Sequence, residues 1–339
     1  MGEGYLGDGR SRHKSQEPLS PIWVRFAVHV GNGRGRALLV GDSRMITIFG
    51  IHGPLLFGQL LLGLINGAFY AMLSLGLAII FGMLNIINFA HGALFMMGAF
   101  AAWMLLEYAG IGYFPALILA PLVIGIFGIV LEKLLISRMY KLDHLYGLLL
   151  TFGLSLVIEG LFRNYYGSSG LPYRIPEVLQ GATNLGFMYM PNYRGFVVAA
   201  ALVVCFSTWA ILEKTSLGAT LRAATENAPL VQAFGVDVPR VITLTFGGGV
   251  ALAAFAGVLA APIYSVNPNM GDNFINTVFA VVVIGGMGSI LGAILTGFGL
   301  GVIEGLTKVF WPQASATVVF LVMVIVLLTM PHGLFGKRA

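Results

Sequence analysis

From Met45 to Leu106 the chain carries no Asp, Glu, Lys or Arg, a stretch of 62 residues without a formal charge. A membrane span needs about 20 apolar residues to cross about 30 Å of hydrocarbon, so this stretch alone has room for two crossings. Further charge-free runs lie at 108–131, 145–158, 195–212, 241–271, 273–303 and 309–336. The 145–158 run is short, and its helix is expected to continue past Glu159 to Phe162. One crossing for each of these six runs brings the count to eight. A ninth arises if Gly285-Gly286-Met287-Gly288-Ser289 divides the 273–303 run into half-helices. Composition leaves no soluble alternative: 58% of the residues are hydrophobic and 10% charged, against about 25% charged in a typical globular domain. The runs are continuous, without the short alternation of a membrane barrel. The expected fold is therefore all-α, a polytopic membrane helical bundle of about eight to nine transmembrane segments that includes broken or half helices.

Orientation follows from Lys and Arg in short loops. The 133–144 loop carries Lys133, Arg138 and Lys141, and segment 213–240 carries Lys214, Arg222 and Arg240, so both are expected in the cytoplasm. The 163–194 loop between them is then external. The terminal Lys337-Arg338 prefers the inside, which suits nine crossings and puts the start of the bundle outside. Residues 1–54 conflict with that placement, because Arg10, Arg12, Lys14, Arg25, Arg34, Arg36 and Arg44 should hold them inside. This segment has no apolar core resembling a signal peptide. It reads as a basic, disordered extension ahead of a membrane domain at 55–336. A native start at Met45 would remove every charge before the first span.

The net charge of +5 suits basic loops beside anionic lipid better than nucleic-acid binding. The single cysteine, Cys205, excludes an intrachain disulfide framework and a multi-cysteine metal site. No phosphate-binding G-x-x-x-x-G-K-[ST], no H-E-x-x-H and no G-x-S-x-G occurs. No metal or cofactor site is expected in the chain.

Polar residues inside spans are costly and mark functional candidates. Glu159 precedes Arg163, and Glu304 precedes Lys308, each by four residues, which places each pair on one helix face. Each is either a carboxylate on a substrate path or an interfacial pair whose ends reach outward, and the positions at the ends of their runs favour the second. Asn66, Asn85 and Asn88 lie among Leu, Ile and Phe, followed by His91 and Gly92. Such a sequence fits either a backbone break beside a cavity or hydrogen bonding between helices. Asn66, Asn85, Asn88, His91 and Thr245 are the candidate lining of a translocation path. Gly63/Gly67, Gly297/Gly301 and Gly301/Gly305 have the G-x-x-x-G spacing that lets helices approach closely.

Segment 214–240 differs in kind. Leu221, Ala224, Ala228, Val231 and Ala233 form an apolar strip beside Arg222 and Glu226. Pro229 can open a second short helix and Gly235 can end it. Two short amphipathic helices on the cytoplasmic side suit docking into a partner's groove, although an ordinary connecting loop would show the same pattern.

The run Ile87-Asn88-Phe89-Ala90-His91-Gly92 resembles a signature of the branched-chain amino acid ABC transporter permeases. Arg222-Ala223, Glu226-Asn227, Gly235-Val236-Asp237, Ser265-Val266-Asn267-Pro268, Gly285-Gly286-Met287-Gly288-Ser289 and Pro331-His332-Gly333-Leu334-Phe335-Gly336 extend the resemblance in order over roughly 55–336. It implies a pore subunit of a bacterial importer in the inner membrane, and no enzyme. Its implied partners are a second permease, two ATPase subunits that bind the ATP, and an external (periplasmic) substrate-binding protein. It further implies that Arg222, Ala224, Glu226, Asn227, Ala233, Gly235 and Asp237 belong to the ATPase-coupling segment, with Asn227 where an acidic residue is frequent. The implied solute is a branched-chain or similar aliphatic amino acid, with urea or a short amide as the alternative. An ion-driven carrier is the competing class, and it would want a buried carboxylate without a cationic partner.

Overall fold

The first long charge-free run folds as two helices, as its length requires. Helix α1 spans Gly53–Leu84, and α2 spans Ala90–Ala109. In the computed structural model the described residues are 47–48, 51–84, 87–140, 142–186 and 188–336. They belong to one unit, Met45–Ala339. The basic segment 1–44, Met45, Asn85, Lys141 and Lys337-Arg338 lie outside them, and so do the expectations attached to those positions.

Then follow α3 (Tyr113–Leu134), α4 (His144–Tyr166), α5 (Asn192–Lys214), α6 (Ser216–Glu226) and α7 (Ala228–Ala233). The chain continues through α8 (Val238–Tyr264), α9 (Asp272–Gly285), α10 (Ile290–Phe310) and α11 (Val318–Thr329). Among the described residues, seven helices are long and apolar enough to cross a membrane: α1 to α5, α8 and α10. Helices α9 and α11, with 14 and 12 residues, fall short of the about 20 a full crossing takes. The expectation of eight to nine segments thus resolves into seven full-length helices and two short ones. The 273–303 run is broken as expected, with α9 ending at Gly285 and α10 starting at Ile290. The only sheet structure described is two antiparallel hairpins, Thr47–Ile48 with Ile51–His52 and Ala182–Asn184 with Tyr189–Pro191.

Glycine sets the closest crossings. Gly63 and Gly67 of α1 lie directly against Gly301, Gly305, Gly297 and Phe298 of α10, backbone on backbone. In hydrocarbon, where apolar burial does not drive helices together, this contact of small residues supplies the packing energy. The pairs also fix direction. Because Gly63 meets Gly301 and Gly305 while Ala71 meets Gly297, α10 runs antiparallel to α1. Gly76 meets Gly249, and Asn66 meets Tyr264, so α8 is antiparallel to α1 as well. Glu132 meets Thr243 while Gly125 meets Ala251, which makes α3 antiparallel to α8. The resulting alternation puts the loop after α3, the α6–α7 pair and the 331–336 segment at one end of the bundle. The 167–191 loop lies at the other. These are the two groupings that the basic residues define.

The core is apolar and continuous through α1, α2, α8 and α9, where Phe69, Met72, Phe95 and Phe100 are fully buried. Outward faces of α3, α4 and α5 remain apolar and exposed, as at Ile118, Leu149 and Val203. Such a surface suits lipid or a second membrane subunit.

Candidate functional site

Three regions carry polar chemistry: a re-entrant break between α1 and α2, an outer cavity beside α8 and α9, and the α6–α7 end.

The break lies where the amide-rich run predicts it. Helix α2 begins at Ala90 deep in the bundle: His91 Nε2 donates at 3.1 Å to the carbonyl of Leu73, about three turns before the end of α1. Thr151 of α4 pins the turn: the Phe89 amide donates to its Oγ1 at 3.2 Å, and that hydroxyl donates to the Ile87 carbonyl at 3.1 Å. Asn88 is buried with neither amide atom partnered, and His91 Nδ1 is likewise orphaned. Buried polar atoms of this kind are rare, and each asks for a partner such as water or a passing solute. Thr245 does not join them; its hydroxyl bonds the Val241 carbonyl of its own helix at 2.7 Å. Asn85 lies outside the described residues. Asn66 belongs to a different place, the outer cavity, where its Oδ1 accepts from Tyr264 at 2.8 Å. The candidate path residues are therefore spread over two sites rather than gathered in one.

The two acid–base pairs behave differently. Glu304 and Lys308 pair at 2.6 Å as their spacing predicts, and Tyr70 also donates to Glu304 at 2.7 Å. Glu159 and Arg163 make no ion pair. Glu159 is buried and accepts from Ser155 at 2.9 Å, whereas Arg163 donates to Asn269 at 2.5 Å. Their i, i+4 spacing made a pair available, but Asn269, in the turn between α8 and α9, offers Arg163 an amide acceptor, and Glu159 stays buried on Ser155. Sequence reasoning missed a second buried acid, Glu132, which lies beside Lys133 at the end of its run. It accepts from Tyr140 at 2.5 Å and from Thr243 at 2.7 Å. Among the described residues, Glu132 and Glu159 are thus buried carboxylates with no cation in salt-bridge contact. No spacing rule could have found them. Burial, and then the hydrogen bond and charge of Glu132, push the Tyr140 hydroxyl above its ordinary phenol value.

The α6–α7 end is held in place by capping. Asn227 caps α7, its Oδ1 accepting from the Leu230 amide at 3.0 Å. Asn and Asp serve this role almost equally well, so an amide in place of the frequent acid preserves the turn. Asp237 caps α8 through the Arg240 amide at 3.2 Å and pairs with the Arg240 side chain at 2.8 Å. Gly235 joins the two with φ +86°, a left-handed conformation that side chains resist. Arg222 donates to the Leu212 carbonyl at 2.7 Å and reaches Glu213 at 3.3 Å, which fastens α6 to the end of α5.

The apolar strip faces inward. Ala224 and Val231 are buried against Val238, with Ala228, Val236 and Ile242 packed around them, so most of the strip secures the pair to α8. Of the strip, Ala233 is exposed, and with it Leu230 and Phe234, the latter 80% exposed. Phe234 is the most exposed large apolar side chain of the pair, and the sequence reading did not single it out. A lone exposed aromatic next to a glycine turn was the available signal. Glu226 lies on the exposed face of α6.

A family model described as the permease component of branched-chain amino acid transport systems matches residues 59–328. The high-affinity branched-chain amino acid transport system permease protein BraD of Pseudomonas aeruginosa is 30% identical over 292 residues, covering 82% of this chain and 95% of that protein. LivH of Escherichia coli K12, described in the same words, is 30% identical over 300 residues, covering 82% and 95%. A probable branched-chain amino acid transport permease protein LivH of Methanocaldococcus jannaschii is 26% identical over 306 residues, covering 84% and 91%. No solved structure matches the chain. With a re-entrant helix pair, a glycine-packed bundle and a capped helix pair at its basic end, this chain belongs to the family of branched-chain amino acid transport system permease components.

Proposed function

We propose that this chain is a pore subunit of an ATP-driven importer of branched-chain or similar aliphatic amino acids, set in the bacterial inner membrane. A second permease of the same family, two ATPase subunits and a periplasmic binding protein complete the machine. ATP is bound by the ATPase subunits. Family membership supports the transported class, because the relatives' names state it.

The observation that carries the coupling role is the α6–α7 pair, which stands at the basic end with Leu230, Ala233 and Phe234 turned outward. A helix that lays an apolar anchor into a groove is a standard docking mode. The pair is tied to α8 through Val231 and Val238, and α8 is tied to α3 through Glu132 and Thr243. Helix α8 then runs the length of the bundle to Ser265. There Val266 exchanges both backbone hydrogen bonds with Leu171 of the 167–191 loop, at 2.8 and 2.9 Å. One helix therefore joins the surface where an ATPase docks to the surface where a binding protein arrives. Movement at either end is carried by a packed, two-ended element.

Affinity purification of the assembled complex tests the docking surface. Wild-type permease should bring the ATPase subunit with it, and Phe234→Asp should not. Equal recovery with both would remove the α6–α7 assignment.

A further inference from the structure

About 20 Å along α1, at the 1.5 Å rise of a helix, a cavity of about 230 Å³ opens against Asn66, Tyr70, Tyr264, Met270, Asn273 and Phe274. Its wall is the break between α8 and α9. Ser265 opens that break with φ 59°, the only non-glycine positive φ described. Strained backbone of this kind persists only where surrounding structure holds it, and it concentrates at functional sites. The bonds from Val266 to Leu171 tie the same segment to the external loop.

One side of the cavity is aromatic: Phe274 packs on Tyr264 at 5.4 Å and on Tyr70 at 6.1 Å. The other side is polar. Asn66 uses its Oδ1 for Tyr264, which leaves its NH2 to donate into the cavity. Asn273, exposed at the start of α9, presents an amide as well. Tyr70 gives its proton to Glu304, whose other oxygen is taken by Lys308. The Thr277 side chain also reaches the Tyr70 hydroxyl; a phenol oxygen can still accept from a second donor, and the carboxylate behind it makes that oxygen more negative. Close contact of Gly301 and Gly305 with α1 brings Glu304 near enough to do this.

We propose that this cavity is a binding site for the transported amino acid within the permease. Asn66 and Asn273 donate to the α-carboxylate, Tyr70 accepts from the α-ammonium, and Met270 and Phe274 receive the apolar side chain. Glu304 is a positioning residue that acts through Tyr70. Size limits the occupant to a single small amino acid. Selection then resides in the membrane as well as in the binding protein. This inference rests on the amino-acid importer reading above and deepens it.

The test is equilibrium binding of radiolabelled leucine to the purified complex without its binding protein. Competitors are the des-amino acid 4-methylpentanoate and the decarboxylated amine 3-methylbutylamine. Wild type should bind leucine and reject both competitors. Tyr70→Phe should lose about tenfold in leucine affinity, the worth of one hydrogen bond to a charged group. It should also lose its discrimination against the des-amino acid only, and Asn273→Ala its discrimination against the amine only. Glu304→Gln should follow Tyr70→Phe in direction. A merely structural role would lower all affinities alike and leave the competitor ranking intact, and that result would overturn the site. So would leucine binding with wild-type affinity and ranking in every variant, while ATP-driven leucine uptake by the same complex would leave the importer reading standing. No binding to wild type, from a complex that imports leucine, would also overturn the site. Failure of the complex to import any amino acid would remove both.

Discussion

Two glycines on α10 should respond in opposite ways to the same added methyl group. At Gly301 a Cβ would come well inside 3.0 Å of the Gly63 carbonyl and of the Gly67 backbone, atoms that cannot rotate away. At Gly299, two residues earlier, it would meet nothing within 4 Å. Replacing a helical glycine by alanine is intrinsically favourable by about 1 kcal/mol. Gly299→Ala should realise some of that gain. Gly301→Ala must push the helices apart by about 1 Å to restore ordinary contact near 3.5 Å, and overpacking of this kind costs about 1–3 kcal/mol. The two variants should differ by about 2 kcal/mol, with Gly301→Ala the less stable. Thermal unfolding in detergent, followed by the intrinsic fluorescence of the purified protein, reads this as a difference of several degrees. Separation of α10 from α1 should also weaken the 2.7 Å bond from Tyr70 to Glu304, lowering transport more than the loss of folded protein explains. If Gly301→Ala melts at or above Gly299→Ala, the glycine crossing does not hold α1 to α10 as described.

Three further outcomes follow from the same geometry. Gly235→Val forces a β-branched residue into φ +86°, at a cost of about 1–3 kcal/mol, and should lower transport per ATP hydrolysed while the protein still inserts; unchanged coupling would contradict it. Thr151→Val removes both bonds that pin the 87–89 turn and should destabilise the bundle by about 1–3 kcal/mol; denaturant midpoints equal to wild type would show the turn is held elsewhere. A reporter active only in the cytoplasm should signal from fusions within 222–237 and stay silent within 170–190, and the reverse would invert the bundle.

What could be read from the sequence was whatever depends on local chemistry. Charge-free length located the long helices, because hydrocarbon tolerates few charges. The amides before His91 announced the break between α1 and α2, and Gly285 to Ser289 announced the one before α10. Pro229, Gly235 and the small residues around them announced the short pair. What could not be read depends on which faces meet. The spacing of Glu159 and Arg163 is the same as that of Glu304 and Lys308, yet only the second pair closes, because Asn269 lies near Arg163 and nothing in the spacing encodes that. The apolar strip of α6–α7 was visible, but not that it points to α8 and leaves Phe234 outside. Asn66 stood out as an isolated amide, while its cavity needed α1, α8 and α9 to come together across 198 residues between Asn66 and Tyr264.

The central claim is that this permease passes amino acids only when an ATPase drives it. It is tested most directly by uptake of labelled leucine into vesicles holding the complete complex, with the binding protein outside and ATP inside. The account predicts uptake that requires both, and that an excess of isoleucine or valine suppresses while urea does not. Uptake that proceeds without ATP on an imposed proton or sodium gradient, or ATP-driven uptake of urea but not leucine, would contradict it.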